Sequence, residues 1–428
     1  MTKIENEISK ISGIWKEFNI EGYLNAHKIA MKDISFSPLG NEISIHENTE
    51  ISCSLNILKD GKKLNIKTED FTYKNLSKLI EKNLFLLEIG DKDDDNILFH
   101  TKENITFDSR KFILNKIKGS FLMKQWEKVK NFKLKDSLSI EGFSYSISEQ
   151  ESYFMNSLGA LKIQKANSCN YSYAILYKSA DFQDFGYASK YSDFNESISD
   201  DFLKDVQDKL LAKSNPKKSS LESGKYNITI RNDMVGEFLD MMMQACKAES
   251  IRQNQSFFSK SDIGKTVTSK KITIRSNPKK DDSTFNSLFD SEGISSENIS
   301  IIENGILKNI FLDSKNARKF KLEPSGNPTY SNLEIIGEQN PDYLKSSSFL
   351  LTSFLGMNTT DMTTGKFAME AEGFEIIDGK IGDFVKNIGF TGNLKDLFLN
   401  LDVIGNDVYT YANIFSPSIT FKDQMLIF

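Results

Sequence analysis

Thr364-Gly365-Lys366-Phe367, then Ala371-Glu372-Gly373-Phe374-Glu375-Ile376-Ile377-Asp378-Gly379-Lys380-Ile381, then Phe390-Thr391-Gly392-Asn393-Leu394 and Val403-Ile404-Gly405-Asn406-Asp407, closing on Ser416-Pro417-Ser418, decide the fold. Asp378-Gly379 supplies the positive-φ pair of a type I′ turn between two apolar arms, so this is a hairpin. Gly392-Asn393 breaks its second arm ahead of Leu394, Leu397, Phe398 and Leu401, whose spacing predicts a helix. A return strand follows. Glycine at this density means backbone packed closely against backbone or ligand.

Upstream, Glu303-Asn304-Gly305 joins Ile299–Ile302 to Ile306–Leu312 as another hairpin. Asp313-Ser314 starts a short helix through Ala317 and Phe320. Tyr226-Asn227-Ile228-Thr229-Ile230 reads as a strand. Asn232 or Asp233 then serves as N-cap for a helix over 234–249. Before them, Lys213-Ser214-Asn215-Pro216-Lys217-Lys218-Ser219-Ser220 has linker composition.

The first half carries a helical stripe at Ile4, Ile8, Ile11 and Trp15. Strand-like alternation at Ile43, Ile45, Ile51, Cys53, Leu55 and Ile57 follows, with Asp60-Gly61 turning the chain into Leu64-Asn65-Ile66. Leu76, Leu79, Ile80 and Leu84 mark one face of a helix from Asp70. Trp126 is a core candidate. After a turn at Asn156-Ser157-Leu158-Gly159, Tyr171, Tyr173, Ile175 and Tyr177 share one face of a strand. No basic residue interleaves that aromatic stripe, which makes it sheet core rather than a stacking platform for bases. Phe202, Val206 and Leu210 mark a helix over 200–211. Strands, hairpin and helices in this order give α+β rather than alternating β-α-β. The expected organisation is two domains. Residues 1–212 form an antiparallel sheet with helices, 213–222 a linker, and 223–428 a largely β domain, barrel-like or sandwich, with short helices.

Bulk properties exclude several classes. The 428 residues are 39% hydrophobic and 26% charged, ordinary for a globular protein able to bury proper cores. A net charge of −5 argues against a dedicated nucleic-acid binder. Cys53, Cys169 and Cys246 are too few and dispersed for a disulfide framework. No uncharged apolar run reaches the ~18 residues of a membrane span, and the first residues lack the apolar core of a signal peptide. A cytoplasmic location is the expectation.

Catalytic patterns fail one by one. Asp91-Lys92-Asp93-Asp94-Asp95 opens like a calcium loop, but Asn96 stands where glycine is needed and Lys102 where a bidentate glutamate is needed; the run reads as a solvated acidic loop. Gly264-Lys265-Thr266 lacks the first glycine of a phosphate loop, since position 259 is Ser259. Gly142-Phe143-Ser144-Tyr145-Ser146 ends in serine instead of the glycine of a nucleophile elbow. His27, His46 and His100 are scattered, with none at ligand spacing. Cys246 reads as a small buried hydrophobe, and Met241 to Met243 as helix core rather than a soft binding surface.

The order of motifs from residue 220 onward, including Phe289-Asp290-Ser291-Glu292-Gly293, resembles the C-terminal domain of the TldD/PmbA family, long described as modulators of DNA gyrase and understood as peptidases. The resemblance implies a choice between two subunit types. One carries His-Glu-x-x-x-His on the helix after the first strand, with two zinc ligands and a general base, and a cysteine ligand after Gly-Asn-Asp. Aligned without gaps, those helix positions become Asp240, Met241 and Ala245, and no cysteine follows Gly405-Asn406-Asp407. The zinc motif is lost. The resemblance then implies a PmbA/TldE-type subunit with no catalytic residue or metal of its own. Zinc is expected only in a TldD-like partner, with which this chain would form a heterodimer acting on unfolded or flexible peptides. The alternative is a peptide-binding or structural homodimer. Gly392, Asn393, Asn406 and Asp407 are candidates for a cleft or partner-facing surface. Neither nucleic acid nor membrane is an expected partner.

Overall fold

The computed structural model describes residues 7–8, 10–179, 183–192, 198–281 and 283–428. Its first half is a seven-stranded sheet of β1 (Glu21–Ser37), β2 (Glu42–Lys59), β3 (Lys62–Thr68), β4 (Ile105–Asp108), β5 (Leu138–Asn156), β6 (Leu161–Lys178) and β7 (Gln183–Ser192). The path runs β3-β2-β1-β5-β6-β4, with β7 also paired to β6; all pairings but β4–β6 are antiparallel. Helices cover one face. Ile8, Ile11, Ile14 and Trp15 pack with Leu76 and Ile80 of the helix Tyr73–Asn83 against Leu24, Leu55 and Ile57; Ile4 of the expected stripe lies outside the described residues. Trp126, Leu203, Val206 and Leu210, on the helices Gly119–Asn131 and Asp200–Lys213, pack on Tyr145, Tyr171, Tyr173 and Ile175. The aromatic stripe is therefore sheet core, with Tyr145 and Tyr171 stacked at 6.1 Å.

The C-terminal half is also α+β, built from two six-stranded sheets. One contains β9 (Thr273–Ser276), β10 (Ile299–Glu303), β11 (Ile306–Leu307), β12 (Leu333–Ile336), β17 (Tyr409–Tyr411) and β18 (Ile414–Ser416). The other contains β8 (Gly224–Ile230), β13 (Phe349–Leu355), β14 (Lys366–Ile377), β15 (Lys380–Asn393), β16 (Leu401–Ile404) and β19 (Ile419–Ile427), in the order β15-β14-β13-β8-β19-β16. Because β15 also pairs with β19, through Gly389↔Ile427 and Phe390↔Leu426, this second sheet closes on itself and is barrel-like. Turn chemistry follows the sequence: Asp378 and Gly379 take φ of 51° and 74°, Asn304 and Gly305 47° and 80°, and Asp60 and Gly61 51° and 77°.

One hydrophobic core runs through this half. At its centre lies the helix Asn232–Ala245, whose Phe238 is 1% exposed and packs edge-on to Phe354 and Phe367. Removing such a buried ring costs about 3–5 kcal/mol, more than the ~1 kcal/mol of a typical helix cap. Packing, not capping, holds this helix in place.

Three readings are corrected. The helix ends at Ala245 and a separate turn of helix, Ala248–Arg252, follows, because Ala248 donates its N–H to the Phe311 carbonyl. The arm after Gly305 is a strand only over Ile306–Leu307. The acidic run at 91–95 is not simply solvated: Asp93 pairs with Lys315 at 2.5 Å, and Asp95 with Lys319 at 2.5 Å, fastening the loop to the helix Ser314–Phe320 of the other half. Between the halves, Lys213 ends a helix and Gly224 begins β8. The intervening segment is pinned: Ser219 and Ser220 donate to Glu375, itself 7% exposed, and Lys217 N–H to the Phe384 carbonyl.

Alternation along the strands explains how the halves meet. Leu24 and Ala26 face the helices, so Tyr23, Asn25 and His27 face the other way. Ser152 and Phe154 on β5 and Lys162 and Gln164 on β6 stand beside them in register. On this face Phe154 meets Phe289, Asn25 Nδ2 donates to the Ser291 carbonyl at 2.7 Å, and buried Lys162 donates to Ser295 Oγ and Glu103. Gly293, at φ +75°, is required here, since a Cβ would lie 2.2 Å from the Phe154 ring. Among the described residues no helix is long and apolar enough to cross a membrane.

Candidate functional site: a groove along the Asn232–Ala245 helix

The start of the helix is fixed from far along the chain. Ser418 Oγ accepts the Asn232 N–H at 3.0 Å, and Asn232 Nδ2 donates to the Asp407 carbonyl at 2.5 Å. The Asp407 carboxylate in turn accepts from the Ser418 N–H, the Ser418 hydroxyl and the Tyr343 hydroxyl. Asn232 is thus the first helical residue, after Arg231, and not the cap. Its N–H, one of those a helix start leaves without an intrahelical partner, is taken by Ser418. Burial opposes the charge of Asp233, but Arg231 and Lys209 outweigh it and hold its carboxyl below the usual range.

Val235, Phe238, Leu239, Met242, Met243 and Ala245 turn into the core, each 0–1% exposed. The opposite stripe lines a groove. Met234 and Glu237 border a cavity of about 420 Å³ walled by Tyr187, Ser189 and Lys209 of the N-terminal half and by Thr352, Phe374 and Phe384 of the C-terminal half. Glu237, Asp240 and Met241 border a second cavity of about 430 Å³, completed by Tyr330, Met357, Asn358, Asn413 and Ile414. Glu237 borders both, so the two cavities lie side by side along the helix. Asp240 Oδ1 accepts from the Tyr330 hydroxyl at 2.5 Å and from Gln244 at 3.1 Å. Burial, with Asp233 and Asp240 adding repulsion, pushes the Glu237 carboxyl up.

The residues read from the sequence are therefore only partly brought together. Asp240 and Met241 reach the cavity, whereas Ala245 does not: five residues on, its direction differs by about 140°, and its methyl is buried. The methionines divide, Met241 at the cavity and Met242 and Met243 in the core. Asp407 anchors the helix start, and Asn406 is exposed. Gly392 and Asn393 line neither cavity: Asn393 caps the helix Leu394–Leu399 and donates to the Thr364 carbonyl, and a Cβ at Gly392 would lie 2.9 Å from the Phe367 ring. Glu237 and Tyr330 escaped the sequence reading. Glu237 had a signal, lying three and four residues before Asp240 and Met241; Tyr330 had none.

The donor set does not fit a zinc ion. Ala245 has no donor atom, Met241 offers only a thioether, and zinc sites use thiolate, imidazole or carboxylate. Among the described residues no group of three or more His, Cys, Asp or Glu side chains is placed to hold a metal ion.

The helix Asn232–Ala245 thus runs beside two cavities, next to a closed β-sheet. Residues 223–427 match the PmbA/TldA metallopeptidase C-terminal domain, which places the C-terminal half of the chain in the TldD/PmbA family. The chain is 28% identical over 291 residues to the metalloprotease PmbA homologue of Buchnera aphidicola subsp. Baizongia pistaciae, covering 66% of this chain and 64% of that relative. It is 28% identical over 227 residues to metalloprotease PmbA of Escherichia coli O157:H7, covering 52% and 50%. The match to the homologue of Buchnera aphidicola subsp. Acyrthosiphon pisum is longer, 25% over 404 residues, 89% and 87%. The first two matches thus span less than two thirds of those relatives. Two solved structures share the fold. One, from Thermotoga maritima MSB8 and titled a modulator of a DNA gyrase, gives a TM-score of 0.87 at 20% identity, covering 99% of this chain and 100% of that one. TldE from Thermococcus kodakarensis gives 0.81 at 16% identity, covering 99% and 100%.

Proposed function

We propose that this chain is a non-catalytic, TldE-like subunit that completes a metallopeptidase with a zinc-bearing, TldD-like subunit. The observation that carries this reading is the pair Met241 and Ala245, standing where the motif requires a general base and a ligand, with Ala245 sealed in the core. A methionine cannot relay a proton and an alanine cannot bind metal, so the chemistry would come from the partner. What this chain contributes is the groove. Its two neighbouring cavities, with methionine and aromatic walls and a few polar groups, suit an extended, flexible peptide. A cytoplasmic location and zinc confined to the partner belong to the same reading.

The test is co-expression with a homologue that carries His-Glu-x-x-x-His, followed by co-purification and a peptidase assay on an unstructured peptide with and without chelator. The expected result is a stable complex whose cleavage is abolished by chelator, and no cleavage by this chain alone. Chelator-sensitive cleavage by this chain alone would overturn the proposal. A self-dimer that binds the peptide and ignores the homologue would replace it with a binding homodimer.

A further inference from the structure

Asp290 lies in the turn that seats the C-terminal half on the N-terminal sheet, and it is 8% exposed. Its Oδ1 accepts the N–H groups of Glu292 and Ile294 at 2.8 and 2.9 Å. Its Oδ2 is equally buried and has no hydrogen-bond partner. A buried carboxylate oxygen without a partner is costly when ionised and tolerable when it carries a proton.

The surroundings do not compensate a charge. From its own turn comes Glu292, committed to the N–H and hydroxyl of Ser314, and ahead of the next helix stands Asp313. From β1 comes Tyr23, whose hydroxyl is taken by Lys63 of β3. His27 of β1 shares with Asp290 the lining of a polar cavity of about 200 Å³, completed by Gln150, Gln164 and Asn286. Lys162 of β6, the buried cation of this contact, is held by Glu103 and Ser295. Burial chiefly, with Glu292 and Asp313 adding to it against the pull of the two N–H groups, pushes the Asp290 carboxyl up to about 7.

We propose that the turn from Phe289 to Gly293 is a proton-operated joint between the two halves. With Asp290 protonated, the turn stays seated on Tyr23, Asn25 and Phe154; loss of the proton favours its release. The same halves wall the cavity of about 420 Å³ beside the Asn232–Ala245 helix, so the joint sets how firmly that cavity is closed. The inference stands whether or not the chain pairs with a metal-bearing subunit.

The sign follows from linkage. Asp290 titrates near 7 in the seated turn and near ~3.9 once released. Below about pH 4 both forms are protonated. Between about 4 and 7 the opening constant rises up to about tenfold per pH unit, and above 7 it levels off. His27, whose imidazole is held below its ordinary value by burial, acts the other way and favours opening as pH falls below ~6.5.

The experiment is hydrogen exchange by mass spectrometry on the full chain from pH 5 to 8. Opening constants are corrected for intrinsic exchange in peptides covering 286–297 and 20–28. In the wild type these constants should rise at least about tenfold between pH 5 and 7 and then level off. D290N, which keeps the shape and places a neutral group at the orphan position, should lose the rise and keep only the opposite trend of His27, and H27N should keep the rise. Equal profiles in wild type and D290N would overturn the proposal. Should D290N not fold, the wild-type profile alone decides, since a flat one overturns it too.

Discussion

The hydroxyl of Tyr330 donates a 2.5 Å hydrogen bond to Asp240 Oδ1, at the cavity beside the Asn232–Ala245 helix. A side chain ninety positions along the chain has taken up a lone pair of this carboxylate. A bond to a carboxylate contributes about 1.5–3 kcal/mol, and Gln244 satisfies only part of what its loss would expose. Y330F should therefore lower unfolding stability by about 1–2 kcal/mol in a urea titration with the m-value unchanged. No change in midpoint would show that the bond contributes nothing.

Restoring the motif should not restore a site. In the triple variant D240H, M241E and A245H, the second imidazole replaces a fully buried methyl in a close-packed core. Overpacking of this kind costs about 1–3 kcal/mol, and the neighbouring thiol, Cys246, is itself fully buried in that core. After dialysis, elemental analysis should give well below one zinc per chain for the variant and none for the wild type, with no peptidase activity in either. A full equivalent of zinc with chelator-sensitive cleavage would mean that a working site is otherwise present.

The loop at 91–95 should release with salt and with acid. Lys315, hydrogen-bonded to Asp93, holds that carboxyl below the usual carboxylate range. A depressed carboxylate stabilises above its unfolded value near ~3.9, and the stabilisation is lost as pH falls through the lower folded value. The pairs are solvent-exposed, so raising salt from about 0.1 to 1 M, which shortens the screening length from ~10 to ~3 Å, should weaken them. Exchange protection in peptides covering 91–98 and 313–320 should drop together under salt in the wild type. The double variant D93N and D95N should show the lower protection at every salt concentration. Protection indifferent to salt in the wild type would refute the latch.

Limited trypsin digestion tests the segment between the halves. Lys217 and Lys218 are exposed, but Ser219 and Ser220 are tied to Glu375. Cleavage needs a locally freed backbone. The wild type should be cut there slowly, and E375A several-fold faster with little change at other sites. Equal rates would show that the Glu375 contacts do not restrain the segment.

What could be read from the sequence was local. Asp378-Gly379, Asn304-Gly305 and Asp60-Gly61 announced their hairpins because paired positive φ angles admit few residue types. The first strand, Glu21–Ser37, was invisible for a physical reason. Tyr23 to Ala26 are buried consecutively, helices on one face and the other half of the molecule on the second, so the alternation that marks a strand is erased. The helix start was misplaced because Asn232 answers to Asp407 and Ser418, not to its neighbours. Asp240 and Met241, named through the motif spacing that the resemblance implies, border a cavity, and Tyr330 joins them there only through tertiary structure.

The closed sheet has a consequence for how the chain is made. Its second strand partner for β8 is β19, and the ring is sealed only by β15 meeting β19. During synthesis, β8 therefore emerges long before residues 419–427 exist to cover it, and the helix Asn232–Ala245 must wait as long for Ser418 to accept its first N–H. Pairings so distant in sequence close slowly, and until they do the apolar edge of β8 is open to other chains. For this half of the protein, birth is the vulnerable interval: a ribosome that stalls before residue 419 leaves an unsealed sheet, and a chaperone has its clearest task there.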